Sequence, residues 1–204
     1  MDSPRDRHHL QRRALRLEYG TIAWNVGEAF LTIGMGSVAG SLALIGFGTV
    51  SVVEVFASGV VVWHVRSGDD GDAARRTRTA LRLIAVAFVV LAATLLTATI
   101  SDLVNRRVPG ESLWGIVYLA ITALVMLGLA VAKRRTAIGL DSGPLRSEAA
   151  VTFLDAALSV STLLGLALNA FAGWWWADPL AAGLVAIAAL NEGREAWSEA
   201  SEGP

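Results

Sequence analysis

Glu28, Glu54 and Asp155 each fall inside a long apolar stretch, where acids are rare. Glu54 is the plainest case. It sits in the middle of "SLALIGFGTVSVVEVFASGVVVW", residues 41–63, with no Lys, Arg or His within nine residues on either side. On a helix, positions three, four and seven apart share a face. Thr21, Asn25, Glu28 and Thr32 make one such polar stripe, and Ser51, Glu54 and Ser58 a second. Glu148, Thr152, Asp155, Ser159 and Thr162 make a third. Carboxylates flanked by amides and hydroxyls can hold a cation or carry a proton. Charging one acid in hydrocarbon costs at least about 2.5–3.5 kcal/mol on insertion scales, so three require compensation. The basic residues nearest in sequence, His64, Arg66 and Arg82, fall at span ends, and no basic partner is expected at that depth. Three answers remain open. The acids are protonated, they face a water-filled cavity, or they share a visiting cation. Acids inside a membrane commonly mark ion pathways.

The elements that would position these residues are membrane helices. Of the 204 residues, 54% are hydrophobic and only 17% charged, well below the roughly 25% charged content of a soluble domain. A spanning helix needs about 20 mainly apolar residues. Six segments qualify, at residues 18–39, 41–64, 80–101, 113–133, 148–170 and 174–191. The expected fold is an all-α membrane protein of six transmembrane helices. Residues 1–17 would form an N-terminal arm, 18–191 the membrane domain and 192–204 a short tail. "GSVAGS" and "NAFAGWWWADP" read as tight turns closing the first and last hairpins. In the second, Trp prefers the membrane–water interface. Asp178 reads as an N-cap and Pro179 as the first helical residue.

Of the 17 Lys and Arg residues, 15 fall on one side of this layout; only Arg106 and Arg107 fall on the other. Basic loops stay cytoplasmic, so both termini are expected in the cytoplasm, with the protein multi-pass in the membrane. The polar start "MDSPRDRHHLQRRALRLEYG" lacks the layout of a signal peptide. The acidic loop residues Asp69, Asp70 and Asp72 lack calcium-loop spacing and read as solvated. There are no cysteines, so thiolate and disulfide chemistry is excluded. No basic face on a soluble domain suggests nucleic acid. No Ser/His pair, catalytic His pair or phosphate loop suggests an enzyme.

Three passages carry a resemblance. "GSLALIGFGTVSVVEVFASGVVVW", "LRSEAAVTFLDAALSVSTLLGLALNAFAGWWWADPLAAGLVAIAALNEG" and "EYGTIAWNVGEAFLTIG" resemble spans of the cation diffusion facilitator, or cation efflux, family. They are most similar to short bacterial members without a C-terminal cytoplasmic domain. The resemblance implies a six-span exporter of divalent metal exchanging the ion for protons, usually a homodimer. Here such a dimer would form through the membrane helices themselves, through small residues such as those of the sixth. It also implies two ligand pairs, each four residues apart, on the second and fifth spans. Glu54 and Asp155 match the second ligand of each pair, while Val50 and Val151 stand where the first would be. The remaining ligands would come from Glu28 and Asn25, or from Ser51, Thr152 or Glu148. An all-oxygen set suits harder cations such as Mn²⁺ or Mg²⁺ better than zinc. No cofactor is expected to be permanently bound. The ion is a transported divalent cation, with zinc, manganese, iron and cobalt the candidates. Val50 and Val151 also keep a second reading open, a non-transporting partner or scaffold protein with a degenerate site.

Overall fold

The computed structural model describes residues 4–39, 42–67, 72–106 and 113–202. Six helices account for almost all of them: α1 (Pro4–Ala39), α2 (Leu42–Arg66), α3 (Ala73–Asn105), α4 (Leu113–Leu140), α5 (Gly143–Ala172) and α6 (Ala177–Glu202). The all-α expectation holds. Among the described residues, four of the helices contain segments long and apolar enough to cross a membrane: Phe47–Arg66, Ala73–Asn105, Ile116–Leu140 and Gly143–Ala172. α1 carries a buried polar stripe, and α6 is built largely from Ala and Gly with a charged final third, which lowers the hydropathy of both.

The helices run alternately up and down. Thr99 late in α3 donates to the carbonyl of Pro179 at the start of α6 (3.2 Å), while Leu81 and Ala85 early in α3 pack on Ala196 and Ala200 near its end. The main packing partners are α1 with α2, α3 with α6, and α4 with α5. The apolar core joins α2, α3, α5 and α6 around Phe88, Leu91, Val61 and Leu158.

Outward, the bundle is apolar. Phe30 is 80% exposed, Leu124 73% and Phe171 92%, with Val52, Phe56, Val89, Phe153 and Ile187 also facing out. Inward lie Glu18, Asn25, Glu28, Glu54, Lys133, Glu148 and Asp155, all essentially without solvent exposure. This inverts the arrangement of a water-soluble bundle and suits hydrocarbon solvent. Arginines stack on aromatic rings at both ends. Arg66 lies over Tyr19 (5.5 Å) and Arg82 over Trp197 (5.8 Å) at the end holding the termini, and Arg106 lies over Trp175 (5.9 Å) at the other. Amphipathic rings belong at the two interfaces.

Several boundaries differ from those the hydropathy suggests. α1 begins at Pro4, so the arm continues the first span as helix. α6 continues to Glu202, and its last turns pack on α3 because small residues recur there at helical spacing. Hydropathy ends a span where charges begin, whereas a helix ends only where its hydrogen bonding stops. α6 also starts at Ala177, placing Asp178 inside its first turn, not at the N-cap position; Pro179 is tolerated there because first-turn N–H groups lack helical partners. The small face of α6 is occupied within the chain. A Cβ on Gly193 would stand 2.9 Å from that of Phe88, so this stripe packs α3 and is not free for a second copy. Gly165 has a similar duty, since a Cβ there would lie 2.4 Å from Asp178 Cβ and 2.8 Å from its Cα. α5 is capped by Gly173, whose left-handed conformation (φ 69°) lets its N–H reach back to Asn169 O at 2.9 Å. Asp69, Asp70, Arg107 and part of the first turn lie outside the described residues.

Candidate functional site

Polar side chains fill a column between α1, α2, α4 and α5, and it divides into two layers. The layer farther from the termini holds Asn25, Glu28, Ser51, Glu54, Tyr118 and Asp155. Glu28 is anchored: Ser51 Oγ donates to Oε2 (3.1 Å) and Tyr118 OH to Oε1 (2.5 Å). One acid on α1 is thus tied to both α2 and α4. Asn25 uses its amide N–H on the carbonyl of Thr21 one turn back (3.1 Å), leaving Oδ1 without a partner.

Glu54 and Asp155 differ from Glu28. Both are buried, and none of their four carboxylate oxygens has a hydrogen-bond partner among the described residues. Asp155 lies within electrostatic reach of Glu54 and Glu28. The hydroxyls of Thr122 and Ser159 are also buried without partners. Buried polar atoms are nearly always satisfied, and an unmatched carboxylate is among the costliest exceptions. Unpartnered oxygens on α1, α2, α4 and α5 are donors suited to a hard cation. Among the described residues, however, no three His, Asp or Glu side chains converge on one point. Val50 and Val151, each one turn before its acid, are 2% exposed and belong to the apolar core.

The second layer lies toward the termini, and the sequence pattern does not reveal it. Lys133 on α4 is fully buried. Its Nζ donates to Glu148 Oε1 (2.6 Å) and Thr152 Oγ1 (3.0 Å), and is ion-paired with Glu18 Oε2 (3.3 Å). Ser58 Oγ donates to the same Glu148 oxygen (2.9 Å). Lys133 is thus a buried base that the sequence reading does not anticipate, although it pairs with Glu148 and Glu18 and not with Glu28, Glu54 or Asp155. Lys133 precedes Arg134 and Arg135, and the run "KRR" reads as a membrane boundary. Each helical residue rotates by about 100°, so Lys133 turns inward on the stripe of Met126, Ala130 and Ala137 while both arginines stay exposed. That spacing was the available signal. Lys133 is also the chain's only lysine.

The layers touch. Thr152 lies beside Glu54, and the charge of Lys133 reaches Glu54 as well. The acids thus follow one another along the column as Glu28, Asp155 and Glu54, then Glu148 and Glu18.

The sequence of this helical bundle matches a known family. The model of the cation efflux transmembrane domain covers residues 21–202 of the chain. The chain belongs to the cation efflux family. It is therefore a multi-pass membrane protein of a family of metal cation transporters, and not an enzyme. No curated protein matches it significantly. The family match reaches all six helices, taking in α1 from residue 21 and the whole of α6, the two helices without a sufficiently apolar segment among the described residues.

Proposed function

We propose that this cation efflux protein exports a divalent cation across the cytoplasmic membrane in exchange for protons. Glu54 and Asp155 bind the ion, and Glu28 and Asn25 assist. The observation that carries the reading is the unpartnered state of all four Glu54 and Asp155 oxygens in the middle of the bundle. A cation supplies what the protein leaves out, and in its absence protons do the same. Binding then releases protons, so uptake depends on pH. All six helices span, and the arginine-rich end faces the cytoplasm of a bacterial cell by the positive-inside rule. The all-oxygen donor set favours Mn²⁺ or Mg²⁺ over zinc, with iron and cobalt as further candidates. Alternating access moves one set of helices against another around the buried site.

The test is flux in liposomes with an imposed pH gradient, using Mn²⁺, Zn²⁺, Co²⁺ and Fe²⁺. The double variant Glu54→Gln, Asp155→Asn is expected to abolish metal movement. Wild-type flux from that variant would remove both residues from the mechanism.

The apolar Val50 and Val151, with no third acid converging, favour one other reading: a non-transporting membrane protein whose acids are protonated packing groups, acting as a partner or scaffold. Thermal shift with the same ions separates the two. Ion-specific stabilisation that Glu54→Gln abolishes excludes the scaffold reading.

A further inference from the structure

The terminus-side layer is a buried cation site with an occupant built in. Two carboxylates, Glu18 and Glu148, face a single ammonium. Lys133 is the one basic side chain among the buried described residues; its Nζ donates to Glu148 and Thr152 and stands 3.3 Å from Glu18 Oε2 as an ion pair. Both Glu18 oxygens and Glu148 Oε2 remain buried without hydrogen bonds. Even with lysine present, this layer therefore holds more acceptor capacity than donors. Nothing in packing alone calls for a lysine here. Buried ion pairs are often no more stable than apolar residues of the same volume. Its length and flexibility set it apart from arginine. Lysine is a compact point charge on a flexible stem, able to change partners without moving a helix. One partner within reach belongs to the other layer. Thr152 bridges the two layers, bonded to Lys133 and lying beside Glu54.

We propose that Lys133 is a tethered internal cation that competes with the transported ion for the negative charge of the column. In the unloaded protein its ammonium offsets part of the charge of the Glu18–Glu148 layer and bears on Glu54. A divalent cation arriving at Glu54 and Asp155 repels it toward Glu18 and Glu148. The lysine thereby sets the affinity of the ion site and keeps the empty column from being an uncompensated row of acids. This rests on the transport reading for its ion-dependent part. The coupling between Lys133 and Glu54 does not.

Two measurements test it. Because the chain has one lysine, growth on ¹⁵N-lysine labels a single side chain, and its NMR resonance reports on Lys133 alone. The resonance is expected to shift in Glu54→Gln without any ion, and to shift in the wild type on addition of Zn²⁺ or Mg²⁺. It should not respond to either ion in the Glu54→Gln, Asp155→Asn variant. An unmoved resonance in ion-free Glu54→Gln overturns the coupling itself. A moved one, with no response of the wild type to either ion, overturns the competition and counts against the transport reading. The second measurement is Mn²⁺ affinity by calorimetry. Lys133→Met is expected to bind Mn²⁺ about tenfold tighter or more, since an unscreened like charge is removed from a buried site, and Lys133→Arg to bind near the wild-type value. If Lys133→Met folds poorly, the comparison is made on Glu148→Gln: Lys133→Met with Glu148→Gln, which restores the charge balance, is expected to bind Mn²⁺ about tenfold tighter than Glu148→Gln alone. Equal affinity in all these variants would reduce Lys133 to a structural ion pair.

Discussion

The two layers of the column answer one physical problem in opposite ways. Toward the termini, Glu18 and Glu148 share a permanent counter-charge in Lys133, and Ser58, Thr152 and Lys133 bond around Glu148 Oε1, although both Glu18 oxygens and Glu148 Oε2 accept no hydrogen bond. Farther along, Glu54 and Asp155 are given none, although they are buried as deeply. A closed layer contributes to holding helices together. An open one leaves room for something to arrive. Glu28 lies between the two designs, since Ser51 and Tyr118 hold it in place yet supply no charge.

If this contrast is right, substitutions in the two layers separate transport from stability. The largest effect is expected from Glu54→Gln with Asp155→Asn: metal flux falls to background, while thermal unfolding in detergent stays at or above the wild-type temperature because two unmatched buried acids are gone. Loss of both flux and fold would erase the distinction. Next is Lys133→Met, which strands two acids; breaking a buried pair in this way costs about 3–5 kcal/mol, read as a lowered melting temperature. Adding Glu148→Gln should recover most of it. Removing the Tyr118 hydroxyl with Tyr118→Phe releases Glu28 and is expected to cost about 1–3 kcal/mol, as for a hydrogen bond to a charged group, and to weaken Mn²⁺ binding as well. Ser58→Ala makes the matching change in the closed layer. It should cost a similar or smaller amount of stability and leave Mn²⁺ binding unchanged. A Ser58 variant that lost ion binding would show the layers to be one functional unit. The contrast can also be sharpened by addition. Val50→Asp places a carboxylate one turn before Glu54, and should tighten Mn²⁺ binding by about tenfold or more while lowering stability in the absence of metal.

Much of this was legible in the residues. Glu28, Asn25, Glu54 and Asp155 stood out because acids and amides are conspicuous against an apolar background, and their helical spacing predicted that they face inward. Lys133 and Glu18 were not legible by the same rule. Both lie where apolar sequence gives way to charge, and there a charged residue looks solvated. The helix continues through that boundary, and rotation about its axis, not hydropathy, decides which charges turn inward. The same reasoning applies to α6, whose charged final turns looked like a tail and instead pack through Ala196 and Ala200.

Composition and periodicity by themselves determined an all-helical membrane protein, its principal apolar segments and the polar stripes on three of them, because those depend only on residue type and spacing along one helix. Which stripes meet was decided by the tertiary structure alone. The order of packing brings α4 against α1 and α5, and with it the only lysine between two glutamates. The pairing of charges depends on distances between helices, and no spacing along a single helix contains them.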